Sequence, residues 1–359
     1  MNAPDVLARQ KWNSAPLRLT QFSHGGGCGC KIAPATLREI LHKSAPGLLP
    51  EALLVGIETS DDAAVYRLSE HEAIVATTDF FMPIVDDPFD FGAIAATNAI
   101  SDIYAMGATP LFALALVAMP IERLPVDTIR RILEGGESVC ARAGIPIAGG
   151  HTIDSVEPIY GLMVIGRVDP SRIKRNADAR AGDALILGKP LGVGIYGAAL
   201  KKQALEAHDY AALLATATRL NTPGIALGRM GDVHALTDVT GFGLLGHLLE
   251  ICRGSKIGAR IDFDALPLLP SALALAAAGA VTGASARNWA GYGDEVRCAP
   301  SIDAARRALL SDPQTSGGLL VACGAECVDA VLEVFTREHF VDARVIGRCV
   351  SVPGGVEVA

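Results

Sequence analysis

No apolar run in the 359 residues is long enough to cross a bilayer. The longest, Leu111 to Ile121, covers about half of the roughly 20 residues that a spanning helix needs. The opening Met-Asn-Ala-Pro-Asp has neither the basic nor the apolar stretch of a secretory signal. Positive charge is scarce: the net charge of −8 argues against non-specific binding to nucleic acid or to an anionic membrane. An acidic chain can still hold a polyanion when divalent cations bridge the two. The eight cysteines, at 28, 30, 140, 252, 298, 323, 327 and 349, are too scattered for a disulfide framework, so a reducing, cytoplasmic setting is expected. The Cys323-x-x-x-Cys327 pair reads as core thiols. A Walker phosphate loop is missing too, because Lys31 stands between Cys30 and Ile32, where that motif requires glycine before and serine or threonine after.

What the chain does have is concentrated in Gln21-Phe-Ser-His-Gly-Gly-Gly-Cys-Gly-Cys-Lys31. Glycine lets backbone approach a ligand closely and weakens helix and strand, so this stretch is a loop. Cys28 lies two residues from a second thiol and three from an ammonium, a setting that can lower a thiol's pKa and make it a nucleophile. Half of a zinc site, a redox pair and two ordinary thiols are the alternatives.

Half of the residues are apolar, ample for a buried core and more comfortable as two domains than one. After a mobile arm over residues 1–20 and a short helix from Pro34 to His42, strand and helix patterns alternate. Strands are predicted at Asp62–Tyr66, Ala73–Thr78, Leu111–Met119, Ile145–Ala148 and Tyr160–Val168, with helices at Phe91–Met106 and Val126–Ala143. The charged stretch Asp169–Asp183 is the candidate domain boundary. Beyond it, strands at Ala184–Leu187, Ala235–Asp238, Ala259–Phe263, Leu319–Cys323 and Arg344–Cys349 alternate with helices at Tyr210–Gly228, Leu244–Cys252, Ala304–Leu310 and Val328–Thr336. Such alternation indicates an α/β or α+β protein.

Aspartates recur where these elements meet loops. Asp61 and Asp62 open a strand, Asp79 follows Ile74–Thr78, and Asp238 follows His234–Thr237. Asn98 and Asp102, four apart, share one face of an Ala- and Ile-rich helix. Magnesium uses oxygen donors of this kind to hold phosphates, and a cation among them offsets their repulsion. Each alone is equally ordinary turn chemistry. Gly149-Gly150-His151-Thr152 follows a short strand and can offer backbone N–H groups to a phosphate. Asp312-Pro-Gln-Thr-Ser-Gly-Gly318 is a second polar turn with the same ambiguity. Two stretches, Gly192–Gly197 and Gly241–Gly246, match the dinucleotide pattern G-x-G-x-x-G, the second with Asp262 about twenty residues on. Against the second, Val239 and Thr240 separate strand from glycine, and Asp238 would repel a pyrophosphate.

Assembled, these motifs closely resemble the selenophosphate synthetase family, within the aminoimidazole ribonucleotide synthetase-like superfamily. The landmarks are His24–Lys31, Asp61–Val65, Thr77–Val85, Ala96–Asp102, Ala148–His151, Thr237–His247 and Asp312–Gly318. They run from about Arg18 to the C-terminus, and the Cys-Gly-Cys-Lys loop is the most specific of them. The resemblance implies an α+β, α/β fold of two domains, in which the N-terminal domain lends strands to a β-barrel shared across a homodimer. It divides the chain into a mobile, Gly-rich catalytic segment (1–50), an ATP- and magnesium-binding dimerisation domain (51–168) and a C-terminal α/β domain (169–359). The implied reaction turns ATP, selenide and water into selenophosphate, AMP and phosphate. It requires Mg2+ and leaves room for a monovalent cation such as K+ and for a selenide-delivery protein.

By motif, Cys28 takes the place of the family's cysteine or selenocysteine, and Lys31 that of its phosphate-contacting lysine. Asp62, Asp102 and Asp238 match its magnesium ligands. Asp79 and Asp102 match ATP contacts, Thr59, Ser60 and Asp61 fall on a further ATP-binding stretch, and Gly150, His151 and Thr152 match residues donated to the nucleotide by the partner subunit. Ser60 replaces an arginine of some members, and Thr152 a serine. The competing readings are another ATP-dependent kinase or synthetase of the superfamily, and a selenium or zinc carrier using Cys28 and Cys30.

Overall fold

The computed structural model describes residues 17–32, 36, 40, 50–56, 61–352 and 354–359. Thr59, Ser60 and nearly all of the helix expected over Pro34–His42 lie outside the described residues.

The first half builds a six-stranded sheet from β1 (Leu53–Val55), β2 (Ala64–Arg67), β3 (Ala73–Phe81), β4 (Thr109–Met119), β5 (Ile147–Asp154) and β6 (Ile159–Val168). Its order is β1-β2-β3-β6-β4-β5, with β1 and β5 at the edges. Burial alternates along β3, as period-two side chains on a pleated strand require: Val75, Thr77, Asp79 and Phe81 face inward while Thr78 and Phe80 stand exposed. Helix α1 (Pro88–Ala105) covers the inner face. Its start is set by Pro88 in the first turn and by Asp87, whose carboxylate accepts the Asp90 N–H at 3.0 Å. Helix α2 (Val126–Arg142) crosses α1 almost backbone to backbone. A methyl on Gly92 would sit 1.8 Å from the Ile132 carbonyl oxygen, and one on Gly135 2.0 Å from that of Phe89, so no larger residue fits either place.

The second half builds a seven-stranded sheet of order β10-β13-β9-β12-β7-β11-β8. Its strands are β7 (Ala184–Leu187), β8 (Val233–Asp238), β9 (Gly258–Ile261), β10 (Val296–Cys298), β11 (Leu319–Cys323), β12 (Arg344–Val350) and β13 (Gly355–Val358). Every residue of β7 and β11 is buried, which is why both read as unbroken apolar runs. The helices that bear on the site are α3 (Val193–Lys201), α4 (Ala207–Ala217), α5 (Pro223–Leu227), α6 (Gly243–Ser255), α7 (Ala272–Ala277) and α8 (Gly283–Tyr292). Helices α9 (Ala304–Leu310) and α10 (Val328–Arg337) complete this half among the described residues.

Three expectations change. The single helix over Tyr210–Gly228 is two: α4 ends at Ala217, and α5 starts afresh with Pro223 in its first turn, where the missing N–H costs nothing. The short strand at Ile145–Ala148 starts later and runs on through Gly149-Gly150-His151-Thr152, which is therefore edge strand rather than turn; pairing with β4 extends it. Helices α3, α7 and α8 were not foreseen, since glycine and alanine dilute their periodicity.

Candidate active site

Three carboxylates converge where the two halves meet. Asp62 precedes β2, Asp102 rides on α1 and Asp238 ends β8; one oxygen of each lies within 4.8 Å of the others. Each carboxylate is held by a hydroxyl: Thr237 Oγ1 donates to Asp62 at 2.8 Å, Thr77 to Asp102 and Ser101 to Asp238. Asp62 Oδ2 and Asp238 Oδ1 remain buried with no hydrogen-bond donor among the described residues. Burial first, and mutual repulsion second, push Asp62 and Asp102 well above the usual carboxylate range; burial also raises Asp238. Oxygen donors at this spacing, two with a bare buried lone pair, fit a hard divalent cation.

A second network adjoins the first. Lys31 Nζ donates to Asp79 Oδ2 at 3.1 Å, and Asn98 Nδ2 donates to the same oxygen at 2.7 Å. Asn98 Oδ1 accepts from the Cys28 thiol at 3.2 Å. Desolvation penalises the Lys31 ammonium, but the Asp79 carboxylate, with Asp102 behind it, outweighs that and raises its pKa, so it stays charged. The thiol corrects the expectation of a lowered pKa. Burial, followed by repulsion from Asp79, pushes Cys28 far up despite Lys31 nearby, and at 1 % exposure it is a neutral thiol. Cys28 and Cys30 join no metal-spaced cluster among the described residues, where the aspartate trio is the one such group.

The glycine loop is gripped from both halves. Gly27 N–H donates to Met82 O at 2.8 Å, Cys28 N–H to Thr315 Oγ1 at 3.0 Å, and Arg287 reaches Gly29 O at 2.9 Å. Gly27 has φ +54°, and a methyl there would lie 2.3 Å from Thr315 Oγ1.

Asp312–Gly318 is buried throughout, so its polar groups need partners inside the protein. Asp312 Oδ2 accepts the N–H groups of Gly194 and Ile195 at 2.9 and 3.1 Å, and Gln314 Oε1 accepts those of Gly192 and Val193 at 3.0 and 3.2 Å. The first dinucleotide-like stretch is thus filled from within. In the second, Gly241 packs under the loop, 3.0 Å from Cys28 O to a methyl placed there.

Burial raises the Asp312 carboxyl from 3.8 to about 7. A raised carboxyl favours the folded state fully below about pH 4, and that contribution fades as pH climbs to about 7. Asp312→Asn is therefore expected to gain stability relative to the parent chain between pH 5 and 8, by about 2 kcal/mol at the upper end. Urea midpoints across that range check this; a difference constant with pH would rule it out.

The other expected site residues are placed differently. Asp61 Oδ1 accepts the Asn176 N–H at 2.7 Å, joining the strand region to the linking segment. Gly150, His151 and Thr152 are exposed on β5, three strands and about 14 Å from β3. Register sets Asp79 against Leu162, Leu162 against Ala115 and Ala115 against Gly150, so the neighbouring His151 lies on the opposite face of the sheet from the Asp79 carboxylate. Sequence reasoning passed over Thr77, Ser101, Thr237 and Thr315. For Thr77, Ser101 and Thr237 the available signal was a polar residue at an inward position of an apolar element; Thr315, within a polar turn, gave none.

Comparison with known proteins bears on the fold and the family. Residues 60–168 match the AIR synthase related protein, N-terminal domain, and residues 180–358 match its C-terminal domain. The chain is 64 % identical to a selenide, water dikinase of Burkholderia ambifaria (strain MC40-6), over 95 % of this chain and 97 % of that one. It is 61 % identical to that of Dechloromonas aromatica (strain RCB), over 95 % and 98 %. Thiamine-monophosphate kinase from Stenotrophomonas maltophilia K279a shares the fold with TM-score 0.61 and 25 % identity, covering 86 % of this chain and 91 % of that one. The hydrogenase maturation protein HypE solved with ATP does so with TM-score 0.60 and 21 % identity, covering 86 % and 87 %. With relatives this similar along nearly its whole length, the chain belongs to the selenide, water dikinase family.

Proposed function

We propose that this chain carries out the family's reaction at the junction just described, converting ATP, selenide and water to selenophosphate, AMP and phosphate with magnesium as cofactor. The observation that carries the reading is the aspartate trio, with its bare oxygens, beside the Lys31–Asp79–Asn98–Cys28 network. Asp62, Asp102 and Asp238 would hold magnesium, which supplies the charge neutralisation that phosphoryl transfer needs. Lys31, paired with Asp79 in this structure, is free to exchange that partner for a phosphate oxygen. Asn98 holds the neutral Cys28 thiol against the site, and the loop excludes water from a soft, oxidisable nucleophile. Residues 17–32 belong to a catalytic segment that opens for substrate, ahead of an N-terminal domain at 51–168 and a C-terminal domain at 169–359.

The nucleotide site is completed by a second copy of the chain. Phe80, Gly161, Leu116 and His151 stand opposite one another across β3, β6, β4 and β5 on the outer face, with Phe80 52 % and Ile153 55 % exposed. An apolar face edged by β5 suits pairing into a shared barrel, with Gly150, His151 and Thr152 supplied to the partner's nucleotide. Among the described residues no helix is long and apolar enough to cross a membrane, and all eight cysteines are free thiols, which suits a reducing cytoplasm. A monovalent cation such as K+ and a selenide-delivery protein belong to the reading without assigned residues.

Anaerobic incubation with ATP and selenide, followed by phosphorus NMR, is expected to show selenophosphate, AMP and phosphate. ADP as the final product, or turnover indifferent to selenide, would defeat the proposal. Cys28→Ser is expected to keep magnesium-ATP binding while turnover falls at least about 100-fold, because a smaller, harder atom replaces the sulfur. A full-rate Cys28→Ser enzyme would point to another kinase of the superfamily. Tight stoichiometric metal without ATP turnover would point to a carrier.

A further inference from the structure

Two buried lysines, Lys174 and Lys189, lie outside the network described so far. Lys189, just beyond β7, is 2 % exposed and forms no ion pair with a carboxylate among the described residues. Its ammonium donates instead to two backbone carbonyls, Arg219 O at 2.7 Å and Ser316 O at 2.9 Å. Burial pulls its pKa down to about 7, so a methionine of similar length would fill the space at lower cost to the fold.

The two carbonyls are the roots of two polar arms that end in the active site. Ser316, at φ +56°, turns its N–H onto Asn98 Oδ1 at 2.7 Å. With that oxygen taken, Asn98 must present its NH2 to Asp79 and its oxygen to the Cys28 thiol; the reverse orientation would set two acceptors against each other. Two residues after Arg219, Asn221 donates to Ser101 Oγ at 2.7 Å and to Gly317 O at 2.9 Å, and Ser101 in turn donates to Asp238. One ammonium therefore ties together the bases of the arm to Asn98 and the arm to Asp238.

We infer that Lys189 is a positioning residue for the reaction, fixing the Asn98 amide and the Ser101 hydroxyl through Ser316 and Asn221. The inference rests on the dikinase reading. A residue acting this way affects the geometry of the reacting groups more than the affinity for nucleotide, and small misplacements of such groups cost up to about 100-fold in rate.

The test is a double-mutant cycle on selenide-dependent AMP formation. Lys189→Met is expected to lower kcat by about 10- to 100-fold with KM for ATP changed less than about threefold. Because part of its effect runs through Asn98 and part through Ser101, it is expected to slow an Asn98→Ala enzyme further, but by several-fold less than it slows the parent. Losses that multiply in the double variant, or a Lys189→Met enzyme with parental kcat, would overturn the inference. Should Lys189→Met not fold, Lys189→Gln, which keeps an amide donor, enters the same cycle with the same two criteria. A parent chain that forms no AMP from ATP and selenide defeats the dikinase reading instead, so the two failures are distinguishable.

Discussion

Asp238→Asn is expected to melt about 2–4 °C above the parent chain in magnesium-free buffer, and to lose the further rise that magnesium gives the parent. Three carboxylates within 4.8 Å of one another repel, Asp238 buried and the other two partly so, and two carry a bare oxygen. Asparagine keeps an acceptor for the Ser101 hydroxyl while its NH2 can donate toward Asp62 and Asp102, so repulsion becomes attraction. The same change removes a ligand from the cation, and turnover is expected to fall about 1,000-fold, or about 4 kcal/mol of transition-state stabilisation. Thermal melts with and without magnesium, beside AMP formation, decide the matter. If the variant melts below the parent in both buffers, the trio is a structural knot and its assignment as a cation site fails.

Lys31→Met is expected to lose about 1,000-fold in kcat, since a positioned charge on a transferring phosphoryl group is the largest contribution a side chain makes to this chemistry. The effect on folding is expected to be small, about 1 kcal/mol or less: the Lys31 side chain is 40 % exposed, so solvent screens its pair with Asp79. Rate and stability should therefore separate. A variant within tenfold of the parental kcat whose urea midpoint drops sharply would show that Lys31 only ties down the loop.

The site was legible where chemistry left isolated polar residues in apolar surroundings. Asn98 and Asp102 stood out on an Ala- and Ile-rich helix, where their spacing put them on one face; Asp102 lies beside Asp62 and Asp238, the grouping the family resemblance implied, and Asn98 bonds Asp79. The supporting hydroxyls were not legible, because threonine suits a strand whether or not it holds a carboxylate, and Thr77 and Thr237 carry no mark of their partners. The Cys28 thiol was misjudged for a related reason. Closeness to Lys31 along the chain was visible, whereas closure beneath Thr315 and Asn98, 287 and 70 residues away, was not. In the fold, fully buried β7 and β11 announced themselves, while α3 and α8, rich in small residues, gave no periodic signal.

The N–H groups that open α3 already hold Asp312 and Gln314, and this bears on how the chain meets nucleotides in solution. Both side chains belong to one buried loop, so their effective concentration at that helix start far exceeds any concentration a diffusing anion reaches. A free nucleotide competing there must displace a tethered ligand and then bury its own charge where Asp312 had been. Internal occupancy thus makes a glycine pattern that looks receptive an exclusion device.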